Sequence, residues 1–548
     1  MSRNASIIAS LMLLAITSQA QTYYVSTNGT DTNTGADWAT ALLTISNGVA
    51  KTGGSGTVLV GDGTFTLSTQ IVITTGITIT SLNGAVATIV DGNNATRGFF
   101  VSNAIAVVDG FTITRGYTTT NGGGVYMYYG TIRNCIISNN LALGNGGGIF
   151  LVAANASNCT ISDNVSSNSG GGLYTSDLIT SPYSAIRNCI ITGNQCTNYG
   201  GGAYIDHCTM TNCTIAGNTS RYYGGGVMIW HYGTLTDSTI STNTATQAGG
   251  GVFMRYAEDR MNNCTVAVNQ VTSATSTDGG GGVLVWWSGI VSNCLVAGNT
   301  NTGGYGGGGM SLRSGAQVWN CVITSNKQTG NYAGGVNIIG GGRIHNSTIS
   351  KNTASGGGGG VHSGENGGNI GLISNCLVFG NQASSGGGVH MQDANDRVIN
   401  CTIVSNTATT YGGGVVFQGI GSRVTNSIVY FNTHATSSNY YYYAGNGTGF
   451  FYSCTAPYPA DGIGNITADP LLADLANGDV HLKSKGGRWL AGTWVADSYH
   501  SPCIDAGDPT FPVGAEPMPN GNRINMGFYG GTAQASMKCP KGTIFRAY

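Results

Sequence analysis

The sequence has 548 residues, of which only 8% are charged, with a formal net charge of −1 and 90 glycines. So little charge excludes a nucleic-acid binder, which needs clustered Lys and Arg to displace counterions from phosphate. Disorder is excluded as well, because 41% apolar residues with regularly spaced Val, Ile and Leu can bury a core.

Taken in chain order, the first element is a leader. Arg3 supplies a positive start, residues 7–16 an apolar core, and Ser18-Gln19-Ala20 a small-residue cleavage site. Residues 1–20 therefore read as a cleaved signal peptide, which predicts an extracellular or cell-surface protein. No Cys follows the cleavage site, so no lipid anchor is expected there. No other run of about 18 apolar residues occurs, so no membrane span is expected either. Residues 21–56 form an N-terminal cap, in which Leu42, Ile45 and Val49 at helical spacing predict a short helix within 40–50.

Residues 57–432 carry a repeat: Asn-Cys-x-(Ile/Val)-x-x-Asn, a short loop, two to five Gly, then a β-branched or aliphatic residue. Copies start at Asn134, Asn158, Asn188, Asn212, Asn263, Asn293, Asn320, Asn375 and Asn400, with Ser-containing copies at Asp237, Asn346 and Asn426. Starts lie 24 to 30 residues apart, as in solenoids. Period-2 alternation makes the elements strands: Cys213 and Ile215 share a face, Thr214 takes the other, and Val227 and Ile229 oppose Met228 and Trp230. Three short strands and three corners per coil are expected, stacked in parallel at about 4.8 Å into a rod of roughly 70 Å. The Gly runs turn one corner. Asn at the others (Asn134, Asn140 and their counterparts) tolerates the left-handed region, and stacked Asn can form hydrogen-bonded ladders. The predicted fold is all-β, a single-stranded right-handed parallel β-helix of the pectate-lyase-like kind. It has a short helical N-terminal cap and an irregular C-terminal closure in residues 433–548.

These repeats resemble those of bacterial β-helix surface proteins, including the polymorphic outer-membrane protein type. Tyr23-Tyr24-Val25-Ser26-x-Asn28-Gly29-x-Asp31, then Gly35-x-Asp37-Trp38-Ala39-Thr40-Ala41, resembles the opening of secreted β-helix proteins. Residues 464–470, then Ser501-Pro502-Cys503-Ile504-Asp505-Ala506-Gly507-Asp508, then 522–531, resemble the choice-of-anchor-Q end module. The resemblance implies export or surface display and no particular activity. Only residues 537–548 follow the module, which favours release or non-covalent association over anchoring.

Nine of the 14 cysteines share one repeat position: Cys135, Cys159, Cys189, Cys213, Cys264, Cys294, Cys321, Cys376 and Cys401. Stacked Cys have parallel Cβ vectors, which disfavours bridging, so an inert buried ladder is expected. Outside it, Cys196, Cys208, Cys454, Cys503 and Cys539 could bridge, with the pairing open. The Gly runs lack the Asp of calcium-binding nonapeptide rolls, and no His/Cys set has zinc spacing. Neither metal nor cofactor is expected.

The strand after each Gly run projects residues outward in columns. The nearest column reads Tyr126, Phe150, Tyr174, Tyr204, Met228, Phe253, Leu284. The next reads Tyr128, Val152, Ser176, Asp206, Trp230, Arg255, Trp286, Arg313, with His207, His231, Tyr256 and Trp287 just beyond. Exposed aromatics interleaved with Asp, Arg and His suit a polysaccharide or cell-surface glycan. The expected ligand-binding residues are Tyr204, Asp206, Trp230, His231, Arg255, Tyr256, Trp286, Trp287 and Arg313. Two other readings stand beside this one: aromatics that stabilise the sheet of a structural adhesin stalk, and a lyase or glycoside hydrolase. The last would draw on Asp206, His207, His231, Arg255, Glu258 and Asp259, although no catalytic motif surrounds them.

Overall fold

The computed structural model describes residues 21–176, 183–275, 278–364, 370–443 and 449–539, so the predicted signal peptide lies outside the described residues. Among the described residues, every regular element apart from one α-helix and one 3₁₀ turn is a short strand. All but four strands stack into four parallel sheets of about 14 turns, and the remaining C-terminal strands form two antiparallel pairs, Leu472–Asp474 with Asp479–Leu482 and Arg488–Leu490 with Thr493–Val495.

One coil shows the plan. Val227–Trp230 lies in sheet I, Thr234–Thr236 in sheet II, Thr239–Ser241 in sheet III and Thr244–Ala245 in sheet IV. Each pairs in register with its counterpart one coil on: Val227 with Val252, Thr234 with Arg260, Thr239 with Thr265, Thr244 with Gln270. The expectation of three strands per coil is therefore corrected to four. The two-residue strand of sheet IV falls below the length at which alternation can be read from sequence. Inward residues of all levels (Val227, Ile229, Leu235 and Ile240 in this coil) join one continuous buried core.

The corners explain the punctuation. Gly225 has no room for a side chain: a Cβ would sit 2.4 Å from the Gly250 carbonyl oxygen and 2.5 Å from the Thr244 backbone. The Asn134 column is left-handed as expected, with φ of 54° at Asn134 and 53° at Asn212. Asn140 is not. The left-handed residue there is its predecessor, Asn139, with φ of 56°. Asn140 instead starts a buried ladder that runs through Asn164, Asn194, Asn218, Asn243 and Asn269 and onward to Asn439. Each amide nitrogen donates to the next Oδ1 at 2.9–3.2 Å.

The cysteine ladder is buried and its thiols are free. The Cys213 thiol lies 3.3 Å from the Thr211 carbonyl; where Ser238 replaces Cys, its hydroxyl donates to the Thr236 carbonyl at 2.7 Å. A small donor is what this position needs, and either residue supplies it.

The N-terminal helix spans Ile45–Lys51, capped by the Thr44 side chain. At the other end, Cys454–Thr455 is the last strand of sheet III, bridged to Ile466. The chain then turns back along the outer face of sheet III rather than continuing up the axis. Outward residues of that sheet are Thr239, Thr265, Leu295, Val322 and Thr348 in the middle coils, then Leu377, Thr402, Ile428 and Cys454. Val322 is exposed, whereas Leu377, Ile428 and Cys454 are buried in a second core with Leu472, Val480, Leu482, Cys503, Ile504 and Met526. The Phe528 N–H donates to Thr402 Oγ1 at 3.0 Å and Asn375 Nδ2 to the Gly530 carbonyl at 3.1 Å. Among the described residues no helix is long and apolar enough to cross a membrane.

Candidate functional site

The outward columns of sheet I fall in the expected register, from Tyr126 through Phe150, Tyr174, Tyr204, Met228 and Phe253 to Leu284. Their surroundings differ from expectation. Phe150 and Tyr204 are buried, and Met228, Phe253 and Leu284 are wholly so. A second layer covers them: Tyr199, Tyr223 and Ala248 lean in from the glycine corner, Trp230 and Trp286 from the opposite side. Tyr223 and Trp286 flank Phe253 with ring centroids 5.2 and 5.6 Å away. Tyr204 is thus corrected from ligand platform to satellite core. Further down the rod, Phe100, Tyr126, Phe150, Tyr174 and Tyr204 stack on one another at 4.4–5.4 Å, their planes within 19° of parallel. The faces a sugar would use are spent on neighbouring rings.

The next column alternates ring and cation. The Arg255 guanidinium lies 4.6 Å from the Trp230 ring and 5.5 Å from Trp286, with Arg313 5.8 Å from Trp286 on the following level. Arg313 is neutralised by Asp278 at 2.9 Å, and Asp278 also accepts from the Tyr223 hydroxyl at 3.1 Å. Burial, then the nearby Asp278 charge, pushes the Tyr223 phenol up to about 12.

Beyond this column, where sheet I turns into sheet II, the residues reach solvent. His231 stacks on Tyr256 at 4.0 Å and Trp287 meets Tyr256 at 5.5 Å. Tyr232 is 53% exposed and Trp287 44%. The corner runs on into an open cleft of about 620 Å³ lined by Ser288, Ser314, Gln317, Arg343 and Ile370. The Asp206 carboxylate is buried beside the ridge, bonded to His207 Nδ1 at 2.8 Å and 3.9 Å from His231 Nδ1.

Of the acids of the hydrolytic reading, Asp206 and Asp259 are buried. Asp259 is fully buried, and its carboxylate accepts backbone N–H groups of Arg255 at 3.0 Å, Tyr256 at 2.8 Å and Gly233 at 3.4 Å. Asp396, also just ahead of an Arg that opens a sheet II strand, holds the Gly371 N–H at 2.9 Å in the same way. Asp259 is therefore a turn-forming residue, with its pKa pushed up to about 6 chiefly by burial. Glu258 is half-buried beside it. Among the described residues, no three His, Cys, Asp or Glu side chains converge to hold a metal ion.

Asp278, Tyr199, Tyr223 and Tyr232 were not singled out from the sequence. A signal was present for two of them, since Tyr precedes the Gly run in two successive copies, at Tyr199-Gly200 and Tyr223-Gly224.

A family described as right handed beta helix region matches residues 45–245, and one described as disaggregatase related matches residues 314–507. The chain is a right-handed β-helix repeat protein. Solved structures similar to this β-helix include pectate lyase Pel9A, at 15% identity and TM-score 0.24 over 93% of this chain and 96% of that one. Dettilon tailspike protein matches at 10% identity and TM-score 0.32, over 73% of this chain and 64% of its own. A PL6 family polysaccharide lyase from Pseudopedobacter saltans matches at 11% identity and TM-score 0.22, over 81% and 94%. No curated protein matches the chain.

Proposed function

We propose that this is an exported, surface-associated β-helix protein that binds a glycan along the corner between sheets I and II. The observation that carries the reading is the half-exposed ridge of Tyr232, His231, Tyr256 and Trp287, which leads into the cleft at Ser288. Trp and Tyr combine an apolar face with a polar edge, and a contiguous exposed patch of them marks a binding surface. Sugar C–H faces would pack on Trp287 and Tyr232, with the Arg255 guanidinium, held between two indoles, fixing hydroxyl or acidic groups. Export follows the leader-like residues 1–20, and residues 464–531 suit a choice-of-anchor-Q module.

A glycan array probed with the wild type and with Trp287→Ala tests the reading. Binding that falls at least tenfold in the variant is expected. A wild type that binds nothing refutes it and leaves the stalk. That second reading rests on its own observation, the self-stacked ladder from Phe100 to Tyr204.

A further inference from the structure

The nine repeat cysteines are buried at one repeated position facing the core, with Ser238 and Ser347 taking that position in two intervening coils. Two others are placed differently. In the coil where Ser453 takes the inward ladder position, Cys454 stands one residue further on. A shift of one residue in a strand turns a side chain to the opposite face. Cys454 is accordingly in the outward column of sheet III, in register with Ile428. The folded-back C-terminal module covers that face and brings Cys503 to it. Both cysteines are fully buried in the second core, together with Ile428, Leu472 and Met526. Hydrogen bonds fix the approach: the Cys454 thiol lies 3.2 Å from the Ala468 carbonyl, Ser501 Oγ donates to the Pro470 carbonyl at 2.6 Å, and the Met526 N–H donates to the Cys503 carbonyl at 3.0 Å. After burial, the Cys454 thiol does most to raise the Cys503 thiol, so the two lie near each other in that core.

We propose that Cys454 and Cys503 form a disulfide that fastens the C-terminal module to the last coils of the solenoid. Two thiols lose two electrons and two protons. The acceptor is a partner disulfide, that of a thiol–disulfide oxidoreductase or of glutathione. One thiolate attacks the partner disulfide and expels a partner thiolate. The second thiolate then attacks the mixed disulfide, and the partner leaves as two thiols carrying the two protons. Attack needs a thiolate, and burial holds the Cys503 thiol well above the ordinary thiol range once the module has docked. The bridge therefore closes as the module folds, in an oxidising compartment. Docking afterwards shields it from reductant.

The test is peptide mapping of the full-length protein exported to a bacterial periplasm, acid-quenched and alkylated in denaturant before trypsin digestion. Trypsin leaves Cys454 in peptide 424–483 and Cys503 in peptide 489–523. The expected result is a linked pair of these two peptides, two hydrogens lighter than their sum, with the nine ladder cysteines all alkylated. Reduction before alkylation should release both peptides with both cysteines labelled. Alkylation of Cys454 and Cys503 without prior reduction would overturn the proposal, as would linkage of Cys503 to Cys539.

Discussion

Asn269→Ala cuts the buried asparagine ladder at mid-rod. Asn269 Oδ1 accepts two bonds from Asn243, its N–H at 2.9 Å and its Nδ2 at 3.0 Å. Asn269 Nδ2 donates to the Ile240 carbonyl at 2.9 Å and to Asn299 Oδ1 at 3.0 Å. Alanine removes all four. Asn243 Nδ2 keeps the Ile215 carbonyl at 3.0 Å, but the Asn243 N–H is stranded in a dry interior. With a net ~0.5–1.5 kcal/mol per bond, and more for a buried group left unpaired, the loss is about 4 kcal/mol. That is close to three powers of ten in the local opening constant. Hydrogen exchange read by mass spectrometry over residues 240–245 should show it, with urea unfolding as a global check. Asn212→Gly is the control. Asn212 belongs to the exposed ladder, bonded to Asn188 at 2.9 Å, and its φ of 53° suits glycine. Its cost should stay within about 1 kcal/mol. If Asn269→Ala left exchange at Asn243 unchanged and cost no more than Asn212→Gly, the ladder would not be a source of stability and the reasoning would fail.

Asp396 is buried, its Oδ2 has no partner, and burial pushes its pKa up to about 7. A folded-state pKa above the unfolded value of 3.8 means that the native state holds this proton more tightly. Its contribution is full below pH 3.8, falls as pH rises toward 7, and is flat beyond. Asp396→Asn keeps the acceptor for Gly371 without the charge. Urea midpoints between pH 4 and 8 should decline less in the variant, which should be the more stable protein at pH 8. Arg255→Ala opens the Trp230–Arg255–Trp286 stack and should cost about 1–2 kcal/mol, much of it absent when Trp286→Ala is already present in a double-mutant cycle. Additive effects of the two substitutions, that is, no coupling, would refute the stack as an energetic unit.

What the sequence reveals here follows from what repetition encodes. Register was legible because Asn-Cys and Gly-Gly-Gly recur, so Met228 could be placed over Tyr204 and beneath Phe253 from spacing alone. Burial on the outer face was not, because it depends on how far Tyr199, Tyr223, Trp230 and Trp286 lean over the sheet, which no period specifies. Sheet IV was missed because two residues, such as Thr244 and Ala245, carry no alternation. Asp259 was misjudged for a related reason: a carboxylate beside Arg and Tyr reads as chemistry until its three backbone donors are seen. His231, Tyr256 and Trp287 sit past the strand ends, where Trp287 is exposed and the other two are half-buried.

The asparagine ladder has a consequence for how such a chain can change in size. Because every rung offers the same donors upward and the same acceptors downward, any coil is a compatible neighbour for any other. Duplicating or excising one whole coil rejoins the ladder without a mismatched rung, and the 24-to-30-residue spacing shows small length changes taken up in loops, whereas an indel inside a strand shifts its register. Rod length is therefore set in units of one coil, and the height of the aromatic ridge above either end can shift while the ridge itself stays intact.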